Sequence, residues 1–484
     1  MREPVEVILD ELGIAHVFAR NEWDLRVAEG YFHARDRFVQ MDLYRRTARG
    51  RLAELVGPDG IDSDAAMRTF GLGRAAEATV AEIASRAAGG DGEAADLLAS
   101  MEAFAAGVNA YIAEITTGRV PPPALYTALL GRNPTSEEIP SWEPVDSFAI
   151  GKLESFDQSF SAYYDLIGED HREKMLATFG EPGAPGVVPG REGFFWDMFR
   201  LEPAVEVSIL PPAGGGRRHP LRKSSALGGK RSPTPDPLIE AAIERIEQAF
   251  RPLPLLDRTP LGSGSNNWVV SGRHTASGFP ILANDTHMGL PVPTIFYQIH
   301  LNTAAQGGEL DMAGVTIPGV PGILIGHTAY LAWGITNALV DVTDVYRERV
   351  VERDGEMAVL FDDPFDDPDE GTKEVPVRVI DRPIRVRDPE TKELFEVPFT
   401  VKEVPHHGPI LSEGGGEAIS FRWSGLGATG ESFTFPRLHR ARTVEEAREA
   451  MRPYDVPPFS FVFADIEGRI AYSGQAYLPI RSEA

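Results

Sequence analysis

The tetrapeptide Gly264-Ser265-Asn266-Asn267, followed by the apolar run Trp268-Val269-Val270, holds the residue types of a serine nucleophile released at its own amide. A serine hydroxyl is a poor nucleophile near neutral pH, so an internal catalytic serine needs a neighbouring base. A serine at a chain terminus carries its own, because an α-amine titrates near ~8. Glycine before the serine suits self-cleavage of that bond: Gly264 has access to backbone angles closed to other residues and leaves its carbonyl open to Ser265 Oγ. The same stretch also reads as a polar turn, GSGSNN, leading into a buried strand.

The residues after the serine must position it. Trp268 to Val270 and Ile281 to Ala283 are short apolar runs joined by a Gly- and Ser-bearing turn, a hairpin signal. Asn284, Asp285 and His287 end that hairpin and bring polar groups beside the serine. Taken alone, a histidine after a strand also reads as a structural one.

Earlier in the chain, Tyr31, Ala34, Phe38, Met41, Tyr44, Ala48, Leu52 and Leu55 recur at helical spacing and predict one long amphipathic helix. Asn21 is its N-cap, Asp24 lies in the first turn and Gly57-Pro58 is the stop. The arginines at 35, 37, 45, 46, 49 and 51 are read as solvating its outer face. Helical patterns resume over 98–113 and 146–166. Residues 211–235 contain six Lys or Arg and no acid, which predicts a flexible, protease-accessible linker. After the hairpin the chain reads mainly as strands, with Val375, Val377 and Val379, then Phe395, Val397, Phe399 and Val401, alternating as in a half-buried antiparallel sheet. The run FDDPFDDPDEG lacks calcium-loop spacing and reads as a solvated loop.

Composition excludes several function classes. Among 484 residues, 72 Asp and Glu outweigh 47 Lys and Arg, for a formal charge of −25 that repels nucleic acid and anionic lipid. Cysteine is absent, which removes thiol nucleophiles, disulfides and Cys-based zinc sites. No apolar run approaches the ~20 residues of a membrane helix. The acidic start MREPVEVILDELG does not read as a signal peptide, so the expected location is cytoplasmic, or periplasmic or secreted if a leader has been removed.

Three stretches together resemble the penicillin acylase family of N-terminal-nucleophile (Ntn) hydrolases. They are the opening VEVILDELGIAHVFARNEWDLRVAEGYFHARDRFVQMDLYRRTARGRLAELVG, the segment SNNWVVSGRHTASGFPILANDTHMGLPVP and the block PGVPGILIGHTAYLAWGITNALVDVTDVYRE. With the closing ADIEGRIAYSGQAYLPIR, the resemblance runs from about Val5 to Arg481. It implies an α+β fold, the Ntn-hydrolase αββα sandwich with largely antiparallel sheets, in precursor form. Residues 1–210 would be the mainly helical α-subunit region, 211–264 the spacer removed on maturation, and 265–484 the first part of the β-subunit.

The same resemblance implies site roles. Ser265 is the nucleophile, cleaved from Gly264; the Asn337 N–H is an oxyanion donor; His287 orients or polarises the site; Asn266 helps hold the serine amine. Met288, Leu324, Ile325 and Leu153 would line an acyl pocket that leans toward aliphatic chains. One structural calcium ion would be held by Asp341, the Thr343 carbonyl, Asp344 and the Pro479 carbonyl, with Asp165 standing where the family has a glutamate. Without the resemblance, Asp341 and Asp344 equally read as strand-end caps or salt-bridge partners. The implied activity is amide hydrolysis of N-acyl substrates, β-lactam side chains or acyl-homoserine lactones among them, by a heterodimer cut from one precursor. The family's second oxyanion donor, a further acidic calcium ligand and a substrate-facing arginine lie well beyond its closing segment, so the chain is expected to be incomplete at the C-terminus or completed by a second polypeptide. The competing reading is a non-catalytic calcium-binding scaffold or pseudoenzyme fragment; the intact Gly264-Ser265 junction favours the hydrolase.

Overall fold

In the computed structural model, which describes residues 1–159, 163, 166–170, 236–250, 265–289, 291–362 and 371–481, helix α1 (Glu22–Ala48) begins where its sequence directs. Asn21 accepts a 2.9 Å hydrogen bond from the Asp24 N–H. The helix stops earlier than the apolar periodicity predicts. Gly50 takes a left-handed φ of +61°, its N–H returns to Thr47 O, and the Arg51 N–H reaches Arg46 O at 2.7 Å. A side chain at Gly50 would meet Arg68 Cγ at 2.7 Å, so glycine ends α1 here rather than at Gly57-Pro58. The apolar positions beyond it belong to a short helix, α2 (Ala53–Val56), and the turn Gly57–Gly60.

Four further helices, α3 (Ile61–Phe70), α4 (Leu72–Ala88), α5 (Gly92–Thr116) and α6 (Ala124–Leu130), lead to α7 (Pro144–Asp157). Helices α1 and α5 cross at two glycines: a Cβ on Gly30 would lie 2.1 Å from Phe104 O, and one on Gly107 would lie 1.9 Å from Val27 O. The two backbones therefore touch, which only glycine permits.

The arginines expected on an outward face include two that are buried. Arg45 and Arg46 are each 3% exposed, and both donate to Asp42, at 2.7 Å and 2.9 Å. Arg45 also reaches Asp146 and the Pro140 carbonyl, while Arg46 reaches the Glu138 carbonyl at 2.6 Å. Arg49 adds a second contact to Asp146 at 2.7 Å, and Asp146 closes the capping box at the start of α7. Burial of this kind is tolerated because every charge meets an opposite charge or a carbonyl. Burial pushes the Asp42 carboxyl up, but Arg46 and Arg45 more than offset it and hold it at about 2.

Of these helices, α1 packs on one face of an eight-stranded sheet. Its order is β1 (Glu6–Leu9), β2 (Ala15–Phe18), β5 (Tyr297–Asn302), β6 (Asp311–Thr316), β7 (Ile325–Thr328), β8 (Leu331–Asn337), β18 (Phe459–Asp465) and β19 (Ile470–Gln475). Neighbours are antiparallel except β2 and β5, which pair in parallel with Val17 opposite Leu301. Inward-facing Trp333, Ile335, Phe461 and Phe463 pack with Leu25 and Ala28 of α1 and with two short helices, α9 (Glu431–Leu438) and α10 (Val444–Ala450). On the opposite face lies a two-stranded hairpin, β3 (Asn266–Val270) with β4 (Ile281–Asp285). The fold is α+β with largely antiparallel sheets, as expected.

A second sheet of seven strands runs in the order β11 (Lys373–Pro376), β10 (Glu356–Phe361), β9 (Thr343–Arg353), β17 (Glu417–Trp423), β16 (Gly408–Gly414), β15 (Thr400–Val404) and β12 (Arg378–Asp381). A separate pair, β13 (Ile384–Arg387) and β14 (Leu394–Val397), lies beside α2. The alternating valines and phenylalanines thus divide between two sheets, and Val379 and Phe395 are exposed at their margins. Of the acidic run, Asp362 is described, exposed and paired with Arg349 at 2.8 Å; 363–370 lie outside the described residues. The basic stretch 211–235 also lies outside them. Within 211–264, however, Pro237–Phe250 forms a helix, α8, whose Leu238, Ile239, Ala242, Ile246 and Ala249 are buried against the core.

Replacing Asp42 by Asn leaves two buried guanidinium groups short of a charge and is expected to cost about 3–5 kcal/mol of stability. Because the folded pKa of Asp42 is depressed, its contribution is present above about pH 4 and is lost as pH falls toward 2. Urea unfolding of wild type and Asp42→Asn from pH 7 to pH 3 checks both statements; the gap between them should narrow toward acid.

Candidate active site

Ser265 stands immediately before β3, and the position of that hairpin depends on one missing side chain. Asn284 of β4 lies over Gly334 of β8, where a Cβ would be 2.4 Å from Asn284 Oδ1 and 3.1 Å from its Cβ. Glycine in the AWGITN stretch therefore lets the hairpin sit directly on the sheet. Trp333 beside it is fully buried and donates from its indole to Leu324 O at 2.8 Å. Asn267 ties β3 to β18 through Ser460 O at 3.2 Å. In this frame the Ser265 hydroxyl accepts a 3.3 Å hydrogen bond from the His287 N–H.

Ser265 borders a cavity of about 210 Å³ whose walls also include Met288, Leu324, Ile325 and Asn337. One wall is the loop Pro318-Gly319-Val320-Pro321-Gly322, in which Gly319 and Gly322 take φ of +96° and +95°. Buried side chains of α1 hold it. The Gly322 N–H donates to Glu29 Oε1 at 2.6 Å and the Gly319 N–H to His33 Nδ1 at 3.3 Å. Arg26, also on the cavity wall, pairs with the other Glu29 oxygen at 2.6 Å. His439 Nε2 meets the Ile323 carbonyl at 2.8 Å. Burial pulls both imidazoles down to about 3, so both are neutral near pH 7, His33 accepting through Nδ1 and His439 donating through Nε2.

Helix α7 supplies the far wall through Ser147, Gly151, Lys152, Glu154 and Ser155, followed by Gln158. Leu153, expected in the acyl pocket, is instead fully buried in the helical core. The helical turn explains this: the cavity-facing residues follow three- and four-residue steps, and Leu153 falls outside that arc. Sequence reasoning missed Lys152 and Glu154, whose only signal was polar residues on the inner face of a predicted helix. Burial pushes the Glu154 carboxyl up to about 8, with Asp157 adding in the same direction, and its Oε1 has no hydrogen-bond partner among the described residues. Burial also lowers Lys152, opposed by Glu431 at 3.5 Å. The walls are not wholly aliphatic either, since Phe148, Phe296, Phe435 and Phe459 join them.

The remaining predicted residues have varied surroundings. The His287 ring is exposed and pairs with Asp285 at 2.9 Å, so its main chain rather than its imidazole approaches the serine. Asn266 is exposed and opposite Asp285 in the hairpin. Asn337 ends β8, and its side chain donates to Gln158 O at 2.7 Å. Gly264 and Asp165 lie outside the described residues. Asp341 and Asp344 converge on one cation, the Arg481 guanidinium, at 2.9 Å and 2.7 Å. Thr343 between them is buried and Pro479 is half-buried two residues before Arg481.

Two substitutions test this geometry. Gly334→Ala should lift the hairpin and cost about 1–3 kcal/mol, as overpacking does; an unchanged melting temperature would contradict the close approach. Glu154→Gln should stabilise the protein increasingly as pH rises from about 5 to 8, by at most about 5 kcal/mol, because the wild-type carboxyl ionises near 4.5 when unfolded but only near 8 when folded. Denaturation of both proteins across that range measures the difference.

The model of the penicillin amidase family matches residues 4–484. The penicillin acylase 2 proenzyme of Pseudomonas sp. (strain SE83) is 30% identical over 492 aligned positions, covering 99% of this chain and 53% of that protein. The acyl-homoserine lactone acylase QuiP of Pseudomonas aeruginosa is 27% identical, covering 100% and 50%. The thermostable penicillin G acylase of Alcaligenes faecalis in its orthorhombic form is similar over 46% of this chain and 36% of its own, at 23% identity and a TM-score of 0.38, too low to establish a shared fold. The chain spans about half the length of the two curated relatives. With a family model matched along nearly its whole length, the chain belongs to the penicillin amidase family.

Proposed function

We propose that this chain carries the nucleophile of a self-activating amidohydrolase that cleaves N-acyl substrates through an acyl-enzyme on Ser265. The observation that carries the reading is that Ser265 borders the same cavity as Met288, Leu324, Ile325 and Asn337. While the Gly264–Ser265 bond is intact, the serine nitrogen is an amide and cannot act as a base. In activation, Ser265 Oγ attacks the Gly264 carbonyl, the acyl group passes from nitrogen to oxygen, and water hydrolyses the ester to leave a Gly264 carboxylate and a free Ser265 amine. Catalysis repeats that chemistry on substrate: Oγ attacks the acyl carbonyl and its proton passes to the α-amine through a water. The Asn337 N–H steadies the oxyanion, the product amine leaves, and water releases the acid. The His287 N–H orients the hydroxyl and Asn266 stands beside the amine.

The relatives' names point to the amides of penicillins and acyl-homoserine lactones, and the mixed aliphatic and aromatic cavity suits an acyl chain. The precursor would separate into two subunits around the 211–264 spacer and stay together as a heterodimer, since β2 and β5 lie on opposite sides of the cut and share a ladder. Removing all of the spacer would uncover the core beneath α8. No described helix is long and apolar enough to cross a membrane, and a charge of −25 disfavours nucleic acid.

One structural calcium ion belongs to the same reading. Asp341, Asp344 and the Thr343 and Pro479 carbonyls would supply oxygen donors of the kind calcium takes, with Asp165, outside the described residues, as the remaining candidate. Convergence of the two carboxylates on Arg481 supports a cationic centre there, and the ion would have to displace that guanidinium.

Intact mass and N-terminal sequencing of the incubated protein should reveal a fragment beginning SNNWVV, absent from Ser265→Ala. Hydrolysis of N-acyl p-nitroanilides or acyl-homoserine lactones should track that cleavage; activity that survives Ser265→Ala would overturn the assignment. Calcium at roughly 100 times its dissociation constant should add ~2.7 kcal/mol of stability, visible as a raised melting temperature that Asp344→Ala abolishes.

A further inference from the structure

A second polar centre lies in the seven-stranded sheet, away from Ser265. Glu348 on β9 is only 3% exposed, and His406 and His407 stand in the turn between β15 and β16. One donor atom from each of the three side chains lies within 4.8 Å of the others. The Glu348 carboxylate accepts from His407 at 2.7 Å and from the Ser420 hydroxyl, and no lysine or arginine pairs with it among the described residues.

Aromatic side chains fix the two imidazoles. Tyr346 stacks on His407 at 3.6 Å between centroids with planes 5° apart, and Phe361 covers His406 at 3.9 Å. Rings held this way, with a hydroxyl orienting the carboxylate, make a preorganised donor set inside an apolar wall.

We propose that Glu348, His406 and His407 form a site for a divalent transition metal, zinc or a close equivalent, that clamps the β15–β16 turn to β9. Two imidazoles and one carboxylate suit zinc, copper or nickel, whereas calcium takes oxygen donors alone. Zinc bonds of about 2.0–2.2 Å place neighbouring ligand atoms about 3.4 Å apart, so small side-chain rotations close the present triangle. Water would take the fourth position. Asp344 lies four residues earlier on the same strand and pairs with Arg481, so it is outside this donor set.

The test uses the full chain without a polyhistidine tag, stripped with chelator and titrated with zinc chloride alone by calorimetry. One zinc per chain is expected, and cobalt in its place should give visible ligand-field bands. Glu348→Gln, which retains partners for Ser420 and His407, and His406→Ala should each weaken zinc binding by more than about tenfold. Asp344→Asn should leave it unchanged, which separates this site from the calcium pair. Circular dichroism in chelator shows whether each variant folds, and Glu348→Gln decides if the histidine variant does not. The proposal is overturned if the wild type binds no zinc, or if Glu348→Gln binds it undiminished; neither result bears on acylase activity.

Discussion

Helix α1 must bury charge, and the cavity takes its form from how that charge is satisfied. Glu29 is fully buried between Arg26 and the Gly322 N–H, while buried His33 serves the Gly319 N–H. A desolvated carboxylate without partners costs several kcal/mol, so the loop cannot move away from α1 without exposing that cost. The loop is in turn one wall of the cavity that Ser265 borders. Farther along the same helix, Arg45 and Arg46, paired with Asp42, donate to carbonyls of the segment before α7, and α7 supplies another wall. One helix therefore holds two sides of the site through polar contacts, and its crossing with α5 at Gly30 and Gly107 keeps it in place.

Ser265 is carried on the opposite face of the sheet. Gly334 removes the side chain that would keep the hairpin at a distance, and Asn267 fastens it to β18. Both links are made by asparagine side chains of the hairpin, so the serine's position follows from the strands that carry it and not from its own side chain. Around it the cavity mixes apolar walls with Lys152, Glu154 and Glu431. In such surroundings the charged form is disfavoured, which is why Glu154 keeps its proton to about 8 while His33 and His439 lose theirs above about 3.

Strand β9 places its carboxylates with the same regularity in the second sheet. Alternate residues share a face, so Asp344, Tyr346 and Glu348 project to one side. The first pairs with Arg481 of the closing segment and the last with His407 of a neighbouring turn. Two oppositely treated carboxylates, one held by a guanidinium and one by imidazoles, are set about two strand repeats apart.

Local chemistry was legible in the residues alone. Asn21 reads as a cap because its short side chain reaches the Asp24 N–H, and the hairpin after Ser265 reads from two apolar runs and a glycine turn; both are short-range preferences that each segment carries with it. The α+β class, the antiparallel strands and the nearness of Met288, Leu324, Ile325 and Asn337 to Ser265 followed from motifs in a recognisable order. What periodicity could not decide was which way a polar residue faces. Arg45 and Arg46 looked like solvated arginines because, apart from Asp42 on the same helix, the partners that bury them, Asp146 and the Glu138 carbonyl, are some hundred residues distant in the chain. Leu153 and Glu154 are adjacent, yet the helix turns one into the core and the other into the cavity. His406 and His407 acquire a meaning only when β9 brings Glu348 beside them. Sequence by itself determined the local elements, the hairpin after Ser265 among them, since those depend on neighbours within a few residues; the tertiary structure decided burial, charge state and the polar contents of the cavity, since those depend on groups that meet only after the chain has closed.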